Sequence, residues 1–443
     1  MTEHSRPYGL SRRGLLRAAA VGGTVATAAA CAGPGTTRGG RSGAGAPSDV
    51  PKPVSGRADA RISFAHWRAE DKKVLAELIG DFTARHRGSG VQQDISPAQD
   101  YQANALQRLK SGAVGDVLTA FRGAQFADML KAGLFTELSA QTFADHYMPR
   151  HSRGGRDAAG RLFGLPYQLV FLMPLANGDL LEKAGYADPP QDWDGYLDLC
   201  DKLKSRGTVP LAWPGAEPGN AGQLFNSMVM NNAPHDDACA RIESGKAKVT
   251  DDWFLRILGQ YAQLRPFVQR KAAGTQVEPA QQMFARGSAA MLATGSYHMA
   301  AVRQLDAEFP IALVPPITVA KGERPRYVGT HNATFILGVN AASKHATTAL
   351  RFVEYLSTPS VATRYANGTA QHLTVTGVTY ENKDLRDTQH WLEKRTMLAP
   401  RYQIEDIDML NAVEGACAKV LTGTSPGKAA EAAQRVVDQR RRK

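Results

Sequence analysis

Residues 60–67, ARISFAHW, followed by residues 70–86, EDKKVLAELIGDFTARH, restrict the kind of fold this chain can adopt. The first stretch alternates apolar and polar side chains, the period of a half-buried strand. In the second, Val74, Leu78 and Phe82 recur at helical spacing. Together they make a βα unit. Another follows at residues 115–139, GDVLTAFRGAQFADMLKAGLFTELS, where a short apolar strand leads into a helix that Gly133 should end. Strands then alternate with amphipathic helices towards the C-terminus, which predicts α/β layering with mostly parallel sheets. The sequence shows no internal repeat.

A chain of 443 residues with 43% hydrophobic content can bury a substantial core and would normally divide into two or more domains. The formal charge of +11 is unevenly spread. Residues 1–59 carry eight Lys or Arg against three acids, and Arg440 to Lys443 form a basic tail, so residues 60–439 keep a net charge of only +2. A basic face for nucleic acid is therefore not indicated.

Residues 11–31, SRRGLLRAAAVGGTVATAAAC, have the layout of an export signal: cations, a short apolar segment from Ala18 to Ala30, and small residues before a cysteine. At ~1.5 Å per residue that apolar segment is too short for a hydrocarbon core of about 30 Å, so it does not read as a transmembrane helix. The pair Arg12-Arg13 resembles a twin-arginine export signal. The end, Ala28-Ala29-Ala30-Cys31, resembles a lipoprotein box with Ala28 where Leu is usual, which implies lipidation of Cys31 and an extracytoplasmic, membrane-anchored protein. Plain secretion after cleavage at an Ala-x-Ala site is the alternative. Residues 32–59 are mainly Gly, Ser, Pro and Thr and read as a flexible tether. Cys200, Cys239 and Cys417 have no C-x-x-C spacing and read as buried small hydrophobes in preference to a Cys200–Cys239 disulfide.

Residues 160–212, GRLFGLPYQLVFLMPLANGDLLEKAGYADPPQDWDGYLDLCDKLKSRGTVPLA, carry Gly-x-Pro-Tyr at a strand entry, then NGDLLEKAG, then Pro-Pro and Trp193 before a helix. This stretch resembles the central segment of the bacterial extracellular solute-binding proteins that feed ABC importers, in the branch that binds sugars and oligosaccharides. Residues 115–139, 284–300 (FARGSAAMLATGSYHMA), 338–366 and 420–438 resemble further units of the same family, in the same order. The resemblance implies a two-lobed α/β, periplasmic-binding-protein-like fold with a hinged cleft and class II topology. It places one lobe at 60–166 plus 328–377 and the other at 167–327 plus 378–439. The implied function is capture of a mono- or oligosaccharide for an ABC permease pair by a monomer, without cofactor, metal or nucleic acid. A non-sugar solute, or a sensor for a signalling partner, are the alternatives.

A sugar offers C–H faces that stack on aromatic rings and a rim of hydroxyls that need paired donors and acceptors. Candidate ligand-binding residues are therefore aromatic and polar side chains near strand ends. They are His66 and Trp67 after the first strand, Asp116, Phe121 and Arg122 around the second, and Tyr167 at the lobe crossing. Trp213 and Asn226 follow the strand VPLAW, Tyr297 lies in ATGSYHMA, His331 and Asn332 lie at the second crossing, and Gln371 stands in a later turn. A secreted glycosidase is the remote alternative, since hydrolysis needs two carboxylates across a cleft. Among these positions only Asp116 is acidic, and the chain has no H-E-x-x-H or G-x-x-x-x-G-K-[ST] motif.

Overall fold

The computed structural model describes residues 52–111 and 115–442; Arg12, Arg13 and Cys31 lie outside them. Eleven strands form two sheets among the described residues. They are β1 (Arg61–His66), β2 (Gly90–Ile95), β3 (Val117–Ala120), β4 (Leu165–Phe171), β5 (Leu175–Asn177), β6 (Val209–Ala212), β7 (Ala289–Leu292), β8 (Ile311–Leu313), β9 (Gly329–Val339), β10 (His372–Leu373) and β11 (Thr396–Leu398). The larger sheet runs β10-β4-β9-β3-β1-β2 with β11 also on β9, and the smaller runs β6-β7-β5-β8.

The opening βα unit forms as its pattern dictates. Ile62, Phe64 and the end of β1 are buried, and the helix Lys72–Arg85 buries Leu75, Leu78, Ile79 and Phe82 on one stripe, with Val74 only half-buried. After β3 the helix Ala124–Lys131 stops just before Gly133, whose φ of +71° is the left-handed geometry that glycine adopts without a Cβ penalty.

The sheets are mixed, not mostly parallel. β1 pairs in parallel with β2 and β3, but β9 runs antiparallel to both β3 and β4. The reason is topological. The chain leaves the larger sheet after Phe171, builds the whole smaller sheet, and re-enters as β9 from the opposite direction, inserted between β3 and β4. That order, β2-β1-β3-β9-β4, is the class II arrangement.

The chain crosses between sheets after Phe171, not after Pro166. The second crossing comes before Gly329, and β11 adds to the larger sheet from within the C-terminal segment, pairing Thr396 with Gly329. The C-terminal helices Ile407–Leu421 and Pro426–Arg441 instead bury Val413, Ala416, Val420, Ala430 and Val437 in the core that also holds Trp213, Phe225, Phe254 and Leu258. Trp193, Trp253 and Trp391 are all buried, and Cys200, Cys239 and Cys417 are buried free thiols. No helix among the described residues is long and apolar enough to cross a membrane.

Candidate functional site

A cavity of about 320 Å³ lies where the two sheets meet, within the ~300–1,000 Å³ usual for small-molecule sites. Strand parity decides which residues reach it. Successive side chains of a strand point to opposite faces, and here Gln168, Val170 and Leu172 line the cavity with Asn332 and Thr334 of β9. The register pairs Gln168 with Thr334 and Val170 with Asn332, so these side chains share one face of the sheet.

Four of the expected residues meet there: Trp67, Phe121, Tyr297 and Asn332. Trp67 and Phe121, on the loops that leave β1 and β3, stack with centroids 3.7 Å apart and planes 19° from parallel. Phe335 backs this pair edge-on, 5.0 Å from Trp67, at a φ of +51°. A bulky residue in that left-handed conformation stores about 1–3 kcal/mol, held by the packing around it. Opposite them, Tyr297 donates its hydroxyl to Asn220 Oδ1 at 2.8 Å. Asn332 is fully buried, and among the described residues neither its Oδ1 nor its Nδ2 has a hydrogen-bond partner.

The remaining candidates are placed elsewhere by the fold. Tyr167 and His331 are the odd-numbered neighbours of Gln168 and Asn332 and face away; the Tyr167 hydroxyl donates to Leu356 O at 2.9 Å, and the His331 ring holds Thr396 Oγ1 through Nδ1. Arg122 lines a different cavity beside His331. Asp116 ties β1 to the loop after β9, accepting from Ser63 N–H at 2.9 Å and from Ser343 Oγ at 2.6 Å. Trp213 is 2% exposed and packed in the core, its Nε1 donating to Ala221 O. Gln371 is buried and donates to Thr369 O.

Two candidates position the cavity without lining it. His66 accepts the Arg68 N–H on Nδ1 at 3.2 Å and contacts Gln93 Oε1 through Nε2 at 3.1 Å. Burial lowers its pKa to about 4, so the ring is neutral and braces the loop that carries Trp67. Asn226 accepts from Arg401 N–H and donates to Gln223 Oε1, fixing two residues that do line the cavity.

The sequence reading missed most of the polar wall: Gln99, Gln102, Gln168, Asn220, Gln223 and Thr334, with His298, Arg68, Arg401 and Tyr402. Period two from Asn332 would have pointed to Thr334. Nothing local marks Arg401 and Tyr402, which sit on the short 3-10 turn Pro400–Gln403. Both cations are paired. Arg68 forks onto Asp71 at 2.9 and 3.0 Å and reaches Glu70 at 2.9 Å; burial works against its charge, but the two carboxylates more than offset this and raise its pKa. Arg401 Nη2 donates to Glu414 Oε2 at 2.9 Å and its Nη1 to Gly219 O. His298, whose Nδ1 is engaged with Thr294 Oγ1, is held neutral by burial and by Arg68, its pKa lowered to about 3. Gln99, which lines the cavity, donates Nε2 to Glu217 Oε2 at 3.1 Å.

A cleft between two α/β sheets, walled by stacked aromatics and amides, is matched by the comparisons with known proteins. The family model for the bacterial extracellular solute-binding proteins matches residues 67–363. The chain belongs to that family. Among its relatives, the multiple sugar-binding protein of Streptococcus mutans is 22% identical over 334 residues, covering 72% of this chain and 76% of that protein. The α-glucosides-binding periplasmic protein AglE of Rhizobium meliloti is 23% identical over 206 residues, covering 40% and 43%. This solute-binding protein shares its fold with the binding protein RafE solved with raffinose, at a TM-score of 0.71 and 19% identity over 86% of this chain and all of that one. It also shares it with the solute receptor AcbH, at a TM-score of 0.75 and 17% identity over 87% and 99%. The two-lobed fold expected from the sequence is the fold of these proteins, and the family and its matched relatives are binding proteins, not enzymes.

Proposed function

We propose that this solute-binding protein captures a neutral mono- or oligosaccharide between its sheets and delivers it to an ABC importer permease, without catalysis of its own. The observation that carries the reading is Asn332. A fully buried amide with all its hydrogen-bonding capacity unused costs about 1–3 kcal/mol, and it sits in a cavity whose other walls are rings and amides. A hydroxylated guest would satisfy it while its C–H faces lie on Trp67, Phe121 and Tyr297. Among the described residues each charged side chain that lines the cavity, Arg68, Glu70 and Arg401, is ion-paired, so none stands unpartnered to select an ion. The relatives named for multiple sugars and for α-glucosides support the same ligand class.

Glu70 is the single acid lining the cavity among the described residues, and it is bound to Arg68. Glycoside hydrolysis needs two carboxylates, so this supports binding without hydrolysis. We assign one lobe to the larger sheet, residues 60–171 and 329–377 with β11, and the other to the smaller sheet and the two C-terminal helices. A guest touching both lobes favours the closed state by its extra affinity for that state, and closure is what a permease can read.

Calorimetric titration of the purified protein with neutral mono- and oligosaccharides tests the reading. Saturable binding of at least one sugar without release of reducing ends is expected; binding of charged solutes alone would overturn it. Tyr297→Phe removes the bond to Asn220 and should weaken that sugar by a few-fold, from a hydrogen bond worth about 1 kcal/mol, with a small change in melting temperature. The anchor is proposed on Cys31: Cys31→Ser should move the protein from the membrane to the soluble fraction of expressing cells, and unchanged membrane retention would exclude the lipid. The protein is taken to act as a monomer.

A further inference from the structure

The odd-numbered side of the strands that build the cleft lines a second cavity. Leu169, Phe171 and His331 open onto a space of about 310 Å³ on the opposite face of the larger sheet. Its rim carries Arg122, Arg150, Arg153, Lys394 and Arg395, and no carboxylate lines it among the described residues. With residues 60–439 close to neutral overall, five cations around one cavity is a local concentration that net charge does not reveal.

Arg122 is the deepest anomaly. It is half-buried, and among the described residues it has no hydrogen bond or ion pair; burial lowers its pKa to about 10 with no carboxylate nearby to hold it up. The backbone leaves room for it: a Cβ on Gly154 would come within 2.9 Å of its Nη1. Arg150 commits only part of its fork, donating Nε to His151 Nε2 at 3.0 Å and Nη2 to Leu392 O at 3.1 Å. His151 and His331 stand edge to face, 5.2 Å apart, both held neutral by burial. A half-buried guanidinium without a partner is costly unless something anionic completes it, and converging guanidinium forks match a phosphoryl group in shape and charge.

We propose that this cavity is a binding site for a phosphoryl group, separate from the solute cleft, in which Arg122 is the central ligand and Arg150 completes the hold on the anion. The group could be carried by a soluble phosphate or by the headgroup of an anionic phospholipid; both present the same chemistry to the pocket.

The test titrates the purified protein at low ionic strength with inorganic phosphate, and in parallel with vesicles of phosphatidylglycerol mixed in phosphatidylcholine, against vesicles of phosphatidylcholine alone. Wild type should bind at least one of the two anionic probes saturably. Arg122→Gln and Arg150→Gln should each weaken that binding roughly tenfold, the loss expected for a charge-assisted hydrogen bond, while leaving affinity for any sugar unchanged. Arg150 is exposed, so its variant reports on the site even if Arg122→Gln folds poorly. Binding of phosphate alone assigns the soluble source, and binding of the vesicles alone assigns the headgroup. No saturable binding of either probe, or binding equally strong in both variants, overturns the proposal. Because the sugar titration is read separately, failure here leaves the cleft's function untouched, and failure there leaves this site untouched.

Discussion

Acidification from pH 7 to pH 5.5 is expected to cost this protein on the order of 5 kcal/mol of stability, enough to unfold many domains. Five histidines are neutral inside the native structure. Burial lowers His66 and His331 to about 4 and His151, His298 and His372 to about 3. All five native values lie below the ordinary 6.5, so below pH 6.5 the unfolded chain binds protons that the native state refuses. Stability is therefore complete above pH 6.5 and falls as pH drops towards the native values, by at most about 1.4 kcal/mol per pH unit for each group. Melting temperatures across pH 4 to 8 should be flat at the alkaline end and steep below 6.5. His372 is remote from the cleft and bonded through Nε2 to Thr388 Oγ1, so His372→Gln should make that slope shallower. A melting temperature that does not change between pH 7 and pH 5 would show that these rings take up protons in the folded protein as readily as in the unfolded chain.

Arg68→Met is expected to destabilise the protein by about 3–5 kcal/mol and to weaken sugar binding with it. The guanidinium forks onto Asp71, which is fully buried and also accepts from Tyr365 and from Gln168 Nε2 at 3.3 Å. Removing the cation leaves a buried carboxylate with neutral partners only, the situation in which breaking an ion pair is most costly. The loop between β1 and the first helix, which carries Trp67, would lose its anchor at the same time. Arg68→Met combined with Asp71→Leu removes both charges and should recover most of the loss in melting temperature, because a buried pair exchanged for apolar side chains of similar size is often neutral. If the single variant melts like the wild type, the pair does not hold this loop.

The sequence made some of this legible and hid the rest for definite reasons. Helical spacing at Leu78 and Phe82 and the glycine at 133 are local signals, and local physics honoured them. The antiparallel β9 was not legible, because its direction depends on where the chain has travelled since Phe171 and not on its own residues. In the cleft, aromatics next to strand ends were readable at Trp67 and Phe121, and Asn332 was readable from its place at the second crossing. Tyr167 and His331 differ from true cavity residues by one position, and only the pleat decides between them. Trp213 has the composition of a stacking residue but lies where helices from three parts of the chain converge. Arg401 and Tyr402 reach the cavity from a segment more than two hundred residues from most of its wall, so no pattern near them announces it. Net charge concealed the basic cavity around Arg122 for a similar reason: a sum carries no positions.

The central claim is that the amide of Asn332 is kept unpaired for a guest, and one paired measurement tests it most directly. Melting of the ligand-free wild type and Asn332→Leu is compared, and both are then titrated with the sugar that the wild type binds best. The variant should melt higher, since it sheds a buried amide whose unmet hydrogen bonds cost about 1–3 kcal/mol, and its sugar affinity should fall by roughly 10- to 100-fold. A variant that melts lower and still binds that sugar as tightly as the wild type would contradict the account.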